Sequence, residues 1–79
     1  MERADILKKI NDVFIDNLDN DDIVLTENSS ADDIEEWDSL THVQLVVAVE
    51  KKFGIRFTAK EIQSWKKVGD MIDSIASKA

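Results

Sequence analysis

Apolar residues recur at helical spacing near the beginning of the chain and again in its middle. From residue 3 to about 18, one helix face collects Ile6, Leu7, Ile10, Val13, Phe14 and Leu18. From 39 to about 53, the face predicted to be core contains Leu45, Val46, Val49 and Phe53, with His42 near its middle. A repeat of about 3.6 residues therefore predicts two long amphipathic helices.

The second of these helices carries a further apolar stripe, formed by Leu40, Val43 and Val47. In a bundle as small as this one, a single helix seldom buries two faces. The stripe is therefore either a docking surface or a face that packs under a neighbouring loop, and the sequence leaves both interpretations open.

Capping residues mark where the predicted helices begin and end. Asp38 is suited to cap the second helix, and Gly54 is suited to end it in the left-handed conformation. Thr58 and Glu61 have the spacing of a capping box, which predicts a short third helix from about 58 to 64. A final helix, from about 68 to 77, is predicted from the stripe Val68, Met71, Ile72, Ile75 and Ala76.

Residues 19–38, between the first two helices, lack a sustained hydrophobic period and are rich in Asn, Asp and Ser. Such residues favour local hydrogen bonds between side chain and backbone over helix. We expect a long ordered loop anchored by Ile23, Val24, Leu25, Ile34 and Trp37. The chain, residues 1–79, is thus expected to form one all-α domain, a four-helix bundle with three longer helices and one short one.

Charge is distributed unevenly about a net value of -7. Residues 1–50 hold 14 acids and three bases, whereas residues 51–79 hold three acids and seven bases. Nine acids and no base lie within residues 19–38. Such a field repels nucleic acid and attracts basic protein surfaces, unless it only keeps the loop solvated. Strong negative charge also favours a monomer.

The residue types exclude several kinds of site. The chain has no cysteine and one histidine, which excludes disulfides, thiolate metal sites and an ordinary zinc centre. A calcium loop beginning at Asp19 would need other residues where Ile23, Val24 and Ser30 stand, so no metal site is expected. No apolar run approaches the roughly 18 residues that span a bilayer, and we expect a cytoplasmic protein without membrane insertion.

Ser39 stands at the predicted start of the second helix and is our candidate for a covalent attachment point. Unpaired N–H groups and the positive end of the helix dipole favour a phosphate there. His42 does not make Ser39 a hydrolase nucleophile, because the chain offers no suitably placed third acid and no glycine-rich oxyanion turn. We expect His42 to be a partly buried, hydrogen-bonded side chain, with contact to a prosthetic arm as the alternative.

Four segments together resemble the acyl carrier proteins, over essentially the whole chain. They are Asp38-Ser39-Leu40, Val43-x-Leu45-Val46, Glu50-x-x-Phe53-Gly54 and Val68-Gly69-Asp70-Met71-Ile72. The resemblance implies a four-helix carrier whose Ser39 receives 4'-phosphopantetheine from coenzyme A through a magnesium-dependent transferase. The thiol of the cofactor would carry acyl groups as thioesters for fatty-acid-like, polyketide or other specialised biosynthesis, and the protein itself would not be an enzyme.

The resemblance also implies roles for residues near Ser39. Asp38 would cap the helix and face the phosphopantetheinyl transferase, and Leu40 would help to dock that enzyme. The residues expected to bind partners are Trp37, Leu40, Val43, Val47 and Glu50. Further implied partners are an acyl-loading ligase or acyltransferase and the downstream synthase enzymes.

Several positions depart from the familiar fatty-acid carriers. Glu36 stands where a glycine is common, and Trp37 where a small or aliphatic residue is usual. On the second helix, residues without negative charge replace several of the usual acids: Thr41, Gln44, Lys51 and Lys52. We therefore expect a specialised stand-alone carrier. An aminoacyl, D-alanyl or peptidyl carrier is an alternative, and a non-covalent acidic helical interaction module is another.

Overall fold

The computed structural model describes residues 2–78. It contains four α-helices, α1 (Arg3–Leu18), α2 (Ser39–Phe53), α3 (Ala59–Ser64) and α4 (Val68–Lys78), and no strand within the described range. The predicted all-α fold with three longer helices and one short one is confirmed. Met1 and Ala79, which complete the predicted domain, lie outside the described residues. None of the four helices is long and apolar enough to cross a membrane.

Local chemistry sets the boundaries of α2 and α3. Gly54 ends α2 in the left-handed region, with φ of 66°, and its N–H donates to the Glu50 carbonyl. Thr58 is the N-cap of α3 rather than its first helical residue. The Thr58 hydroxyl accepts from the Glu61 N–H at 3.1 Å, and the Glu61 carboxylate accepts from the Thr58 N–H at 3.0 Å. This reciprocal pair satisfies two N–H groups that the helix itself leaves unpaired.

One core joins α1, α2, α4 and the loop between α1 and α2. The helices contribute Ile6, Ile10, Val13, Phe14, Leu45, Val49, Val68, Met71, Ile72 and Ile75. The loop adds Ile23, Leu25 and Trp37. Val24, predicted as a loop anchor, is 81% exposed, so that prediction is wrong. Successive side chains of an extended segment point to opposite sides, and burying Ile23 and Leu25 therefore turns Val24 towards solvent.

The loop at 19–38 is tied to α1 by hydrogen bonds as well as by apolar contacts. The Asn11 side chain accepts from the Leu25 N–H at 2.7 Å and donates to the Ile23 carbonyl at 3.2 Å. Further along, residues Ala31–Asp33 form one turn of 3-10 helix. A single amide on α1 thus satisfies the backbone on both sides of the exposed valine.

The start of α4 is capped by the backbone of the same loop. The Val68 N–H donates to the Ser29 carbonyl at 2.8 Å, and the Gly69 N–H donates to the Glu27 carbonyl at 2.7 Å. A Cβ at Gly69 would lie 2.9 Å from the Glu27 carbonyl oxygen, so this close approach requires glycine. The Arg3 guanidinium hydrogen-bonds the Glu27 carboxylate and lowers its pKa. These contacts fix the loop that leads into α2.

Candidate functional site

Ser39 is the first residue of α2 and lies exposed on the surface. Within residues 2–78, the side-chain hydrogen bonds around the start of α2 belong to Asp38, Leu40 and Thr41, and none engages the Ser39 hydroxyl. Neither burial nor an internal partner therefore restrains this oxygen. It is accessible to an enzyme that approaches from solvent, which is the first requirement of a covalent attachment point.

The N–H groups at the start of α2 are mostly occupied by side chains of the protein itself. The Asp38 carboxylate accepts from the Leu40 N–H at 3.0 Å and from the Thr41 N–H at 2.9 Å. The Thr41 hydroxyl accepts from the Asp38 N–H at 2.8 Å and donates to the Glu36 carbonyl at 2.8 Å. The predicted capping of α2 by Asp38 is therefore confirmed, and it leaves fewer N–H groups for a phosphate than an uncapped helix start would offer. Only the N–H of Ser39 itself is left without a partner among the described residues.

The carboxylate of Asp38 determines the electrostatics beside Ser39. The hydrogen bond from the Thr41 N–H, with a second from the Leu40 N–H, lowers the pKa of Asp38, which is therefore ionised at neutral pH. Its negative charge offsets the positive end of the helix dipole. A negatively charged group beside Ser39 would thus have one free N–H and a neighbouring carboxylate.

Trp37 is buried, with 7% of its surface exposed, although it was predicted on the partner-binding surface. Its ring packs edge-on against Phe14, with 4.9 Å between centroids, and its Nε1–H donates to Nδ1 of His42 at 3.0 Å. The prediction that Trp37 anchors the loop is therefore confirmed, and the prediction that it binds partners is wrong. An indole whose polar atom is paired internally gains more free energy in the core than at the surface. Here it anchors the chain two residues before Ser39.

His42 is half-buried and hydrogen-bonded, in agreement with the structural interpretation of this residue. Because Nδ1 accepts from Trp37, the ring is neutral and carries its proton on Nε2. Desolvation lowers its pKa. The ring also stacks on Trp37, with 6.0 Å between centroids, and meets Trp65 edge-on at 6.5 Å. His42 therefore packs in one cluster of rings with Trp37 and Trp65.

A cavity of about 90 Å³ lies beside these three rings and is closed on another side by Met71. Pockets that hold small molecules usually measure about 300–1,000 Å³. This cavity is therefore too small to enclose a prosthetic arm.

The second apolar stripe of α2 is open to solvent. Leu40 is 80% exposed, Val43 63% and Val47 43%, so the alternative in which the loop covers this stripe is wrong. Glu50, predicted on the same surface, is half-buried, and its carboxylate accepts from the Phe57 N–H at 2.8 Å. Glu50 thus stabilises the segment that follows α2 while it lines an open groove beside Val47.

Two structural residues of this region were not recognised from the sequence. Thr41 was noted from the sequence only as a residue that replaces an acid. It completes a capping box with Asp38, and a hydroxyl three positions after an N-cap residue is the signal that would identify it. Trp65 contacts His42, and its Nε1–H donates to the Ser74 hydroxyl at 2.9 Å. No local pattern reports these contacts of Trp65, because they join different helices. Within residues 2–78, no three His, Cys, Asp or Glu side chains are grouped to hold a metal ion.

Known proteins share both the sequence pattern and the fold. A family model described as "Phosphopantetheine attachment site" matches residues 8–75. The acyl carrier protein of Thermosynechococcus vestitus is 35% identical over 79 residues, which cover 99% of this chain and 96% of that protein. The acyl carrier protein of Acidothermus cellulolyticus is 46% identical over 54 residues, which cover 68% of this chain and 63% of that protein.

The structural comparison leads to the same family. The solution structure of a holo acyl carrier protein from Geobacter metallireducens has a TM-score of 0.86 and 41% sequence identity, and the match covers 92% of this chain and 84% of that one. The family model spans all four helices in whole or in part, including the region around Ser39. The chain therefore belongs to the acyl carrier protein family, whose members carry acyl groups on a 4'-phosphopantetheine prosthetic group.

Proposed function

We propose that Ser39 is the residue that bears the phosphopantetheine arm. The observation that carries this proposal is the exposed Ser39 hydroxyl at the first position of α2, free of internal hydrogen bonds, within the 8–75 segment that matches the attachment family. The rigid surroundings support it as well. Trp37 is fixed in the core and Asp38 caps the helix, so the hydroxyl is presented in one place although nothing holds the side chain itself.

Attachment is a phosphoryl transfer from coenzyme A. The Ser39 oxygen attacks the phosphorus of the pantetheine phosphate, the bond to the adenosine bisphosphate breaks, and the hydroxyl proton passes to the transferase or to water. The ionised Asp38 faces the magnesium or a basic group of the transferase, and the exposed Leu40 gives that enzyme an apolar contact. Once attached, the arm supplies a thiol that holds the cargo as a thioester. The chain supplies no catalytic group to this chemistry.

Mass spectrometry of the intact protein tests this assignment. After incubation with coenzyme A, magnesium and a broad-specificity phosphopantetheinyl transferase, the chain gains one phosphopantetheine, and Ser39→Ala gains none. Ser77→Ala, which removes another exposed hydroxyl, is the matched control and gains the arm as the parent does. Because the chain has no cysteine, a thiol reagent then titrates one group per loaded chain and none before loading. An arm on Ser39→Ala would contradict the assignment, and a chain that never gains mass would be a non-covalent interaction module.

The cargo pathway is proposed to be specialised rather than the housekeeping fatty-acid cycle. Between residues 39 and 56 the chain has one acid, Glu50, and three bases, Lys51, Lys52 and Arg56. Enzymes that bind an acidic second helix should therefore bind this one weakly. The proposed partners are the transferase, an acyl-loading ligase or acyltransferase, and the synthase enzymes of that pathway.

Competition with a housekeeping carrier tests the pathway assignment. We expect an ordinary fatty-acid synthase to use the loaded chain more slowly than its own carrier at equal concentration, and equal rates would contradict the proposal. A second experiment incubates the loaded chain with ligases for fatty acids, for D-alanine and for other amino acids. The mass of the product, measured by mass spectrometry, separates the acyl carrier from the aminoacyl, D-alanyl and peptidyl alternatives.

A further inference from the structure

The outward surface of α2 changes its chemistry along the helix. At the beginning, Ser39 adjoins the ionised Asp38 and the acidic loop. The middle is the exposed apolar stripe of Leu40, Val43 and Val47. The end and the segment after it carry Lys51, Lys52 and Arg56. The surface is therefore negative beside the attachment residue, apolar in the middle and positive at the far end.

The positive groups at the far end are not neutralised within the described protein. In residues 2–78 the ion pairs join Arg3 to Glu27, Arg3 to Asp73 and Lys78 to Glu61, and none of them involves Lys51 or Arg56. Both side chains belong to exposed residues. The nearest acid in the sequence, Glu50, accepts a hydrogen bond from the Phe57 N–H. Asp16 of α1 lines another surface pocket, between α1 and α2, together with Lys51 and Lys52.

Two open grooves place these cations next to the apolar stripe. One, of about 540 Å³, is lined by Val47, Glu50, Lys51 and Arg56. The other, of about 350 Å³, is lined by Val43, Val47 and Lys51 among others. Both grooves share Val47 and Lys51, so a surface that covers the stripe also brings its own edge against the ammonium group of Lys51.

We propose that the pathway enzymes dock on α2 through an apolar patch whose rim is acidic, with carboxylates facing Lys51 and Arg56. This inference rests on the proposed function of Ser39. Twelve residues of helix separate Ser39 from Lys51, which at about 1.5 Å per residue is about 18 Å. The acidic rim of the partner therefore lies about 18 Å from the opening through which that enzyme receives the arm.

Salt screening makes this docking compatible with the negative net charge of the chain. At physiological ionic strength the Debye length is about 8 Å. Asp38, at the start of the helix, lies more than two such lengths from Lys51. A carboxylate beside Lys51 therefore responds mainly to the local charges, which are Lys51, Lys52 and Arg56 together with Asp16 of α1. Charge complementarity at the rim of an interface acts chiefly on orientation and on the association rate. It would align the enzyme so that its opening meets the start of α2.

A charge-inverted probe tests the proposal. The probe is a fatty-acid condensing enzyme whose carrier-docking patch is basic, together with a form in which the lysines and arginines of that patch are changed to glutamate. Binding of the phosphopantetheine-loaded chain to each form is measured by calorimetry in about 0.15 M salt. We expect the inverted form to bind more tightly than the native one, by about fivefold or more for each facing charge pair that is reversed. Tighter binding to the native basic form would overturn the proposal.

Substitutions in the chain locate the effect. Lys51→Glu and Arg56→Glu are each expected to weaken binding to the inverted probe and to strengthen binding to the native one. Lys8→Glu, on an exposed position of α1, makes the same change in net charge and is the matched control. Equal effects of Lys51→Glu and Lys8→Glu would show that total charge decides binding, and the proposed rim would be wrong.

The loaded state is checked first, so that two failures remain distinguishable. If the chain never gains the arm, the proposed function fails and this inference fails with it. If the chain gains the arm at Ser39 but prefers the basic probe, the function stands and only the acidic partner is wrong. Circular dichroism of each variant confirms that the helices are intact, since all of these positions are exposed.

Discussion

The two faces of α2 contain similar residues with opposite environments. Leu45 and Val49 on the inner face are completely buried, whereas Leu40 and Val43 on the outer face are 80% and 63% exposed. Full burial of a leucine or valine contributes about 1.5–3 kcal/mol relative to exposure. The inner face thus supplies stability to the fold, and the outer face keeps a comparable amount of free energy available for binding a partner.

The same contrast is compressed into three residues at the beginning of α2. Trp37 packs against Phe14 in the core, and Ser39 lies in solvent. Asp38, between them, ends the loop and starts the helix through its bonds to backbone N–H groups. The Ser39 hydroxyl, the proposed attachment point, therefore takes its position from neighbours on both sides and needs no restraint of its own. The residues that position the hydroxyl, Trp37 and Asp38, thus differ from Ser39, the residue proposed to react. Single substitutions can test this division.

Truncating one leucine from each face gives the largest expected difference. Leu45→Ala should lower the free energy of unfolding by about 2–5 kcal/mol, because it leaves a cavity in the core. Leu40→Ala should change it by no more than about 0.5 kcal/mol, since the side chain is already in water. Urea denaturation followed by circular dichroism measures both values.

Transfer of the arm should respond more to Leu40→Ala than to Leu45→Ala, which is the reverse of the order expected for stability. Leu40→Ala should slow phosphopantetheine transfer to Ser39, because the transferase loses an apolar contact. A Leu40→Ala protein destabilised as much as Leu45→Ala would show that the outer stripe is part of the core after all, and the division between the two faces would not hold.

Asp38 lies at the junction of the two faces, and two substitutions separate its structural effect from its electrostatic one. Asp38→Ala removes the cap and should lower Tm by about 4–8 °C. Asp38→Asn keeps an oxygen that accepts from the Leu40 and Thr41 N–H groups, so Tm should stay close to the parent value. The loss of negative charge should nevertheless slow magnesium-dependent transfer to Ser39. Parent-like transfer rates for the folded Asp38→Asn protein would exclude a role for the charge.

The features that the sequence predicts well are those set by near neighbours in the chain. Gly54 and the pair Thr58 and Glu61 behave as their types and spacing indicate, because a left-handed stop and a capping box depend on a few consecutive residues. The outer stripe of α2 was visible from helical periodicity alone. Whether a loop covered it depended on where that loop ran, which no local pattern states.

The features that were missed depend on contacts between distant segments. Trp37 was predicted both as a loop anchor and as a partner-binding residue, because an indole that is polar at one atom and apolar elsewhere suits either a core or an interface. Only its contacts with Phe14 and His42 decide for the core. Gly69 has no positive φ, and its need for glycine arises from the Glu27 carbonyl of the remote loop. Val24 is the exception, because the alternation of Ile23, Val24 and Leu25 in a segment without helical period was a local signal that it faces outward.

The smallest expected effect concerns His42, which is half-buried on the inner face of α2. Desolvation holds its pKa in the folded protein below the ordinary value of 6.5. As pH falls through about 6.5, the unfolded chain therefore binds a proton that the folded chain does not, and the free energy of unfolding decreases. The contribution of the neutral ring is fully present above that pH and is lost as pH falls to the lowered pKa. Lys66 and Lys67 line the adjoining cavity.

His42→Gln isolates this effect, because glutamine offers an oxygen to the Trp37 Nε1–H and does not titrate. Urea denaturation between about pH 7.5 and 5.5 stays above the range in which Glu27, Glu61 and Asp38, whose pKa values are lowered, begin to lose their charge. The parent protein should lose stability across this interval, while His42→Gln should lose less. If the free energy of unfolding fell equally in both proteins, a group other than His42 would be responsible for the pH dependence. A parent protein that grew more stable on acidification would mean that His42 binds its proton more readily when folded, which is incompatible with an Nδ1 that accepts from Trp37 and a ring shielded from water.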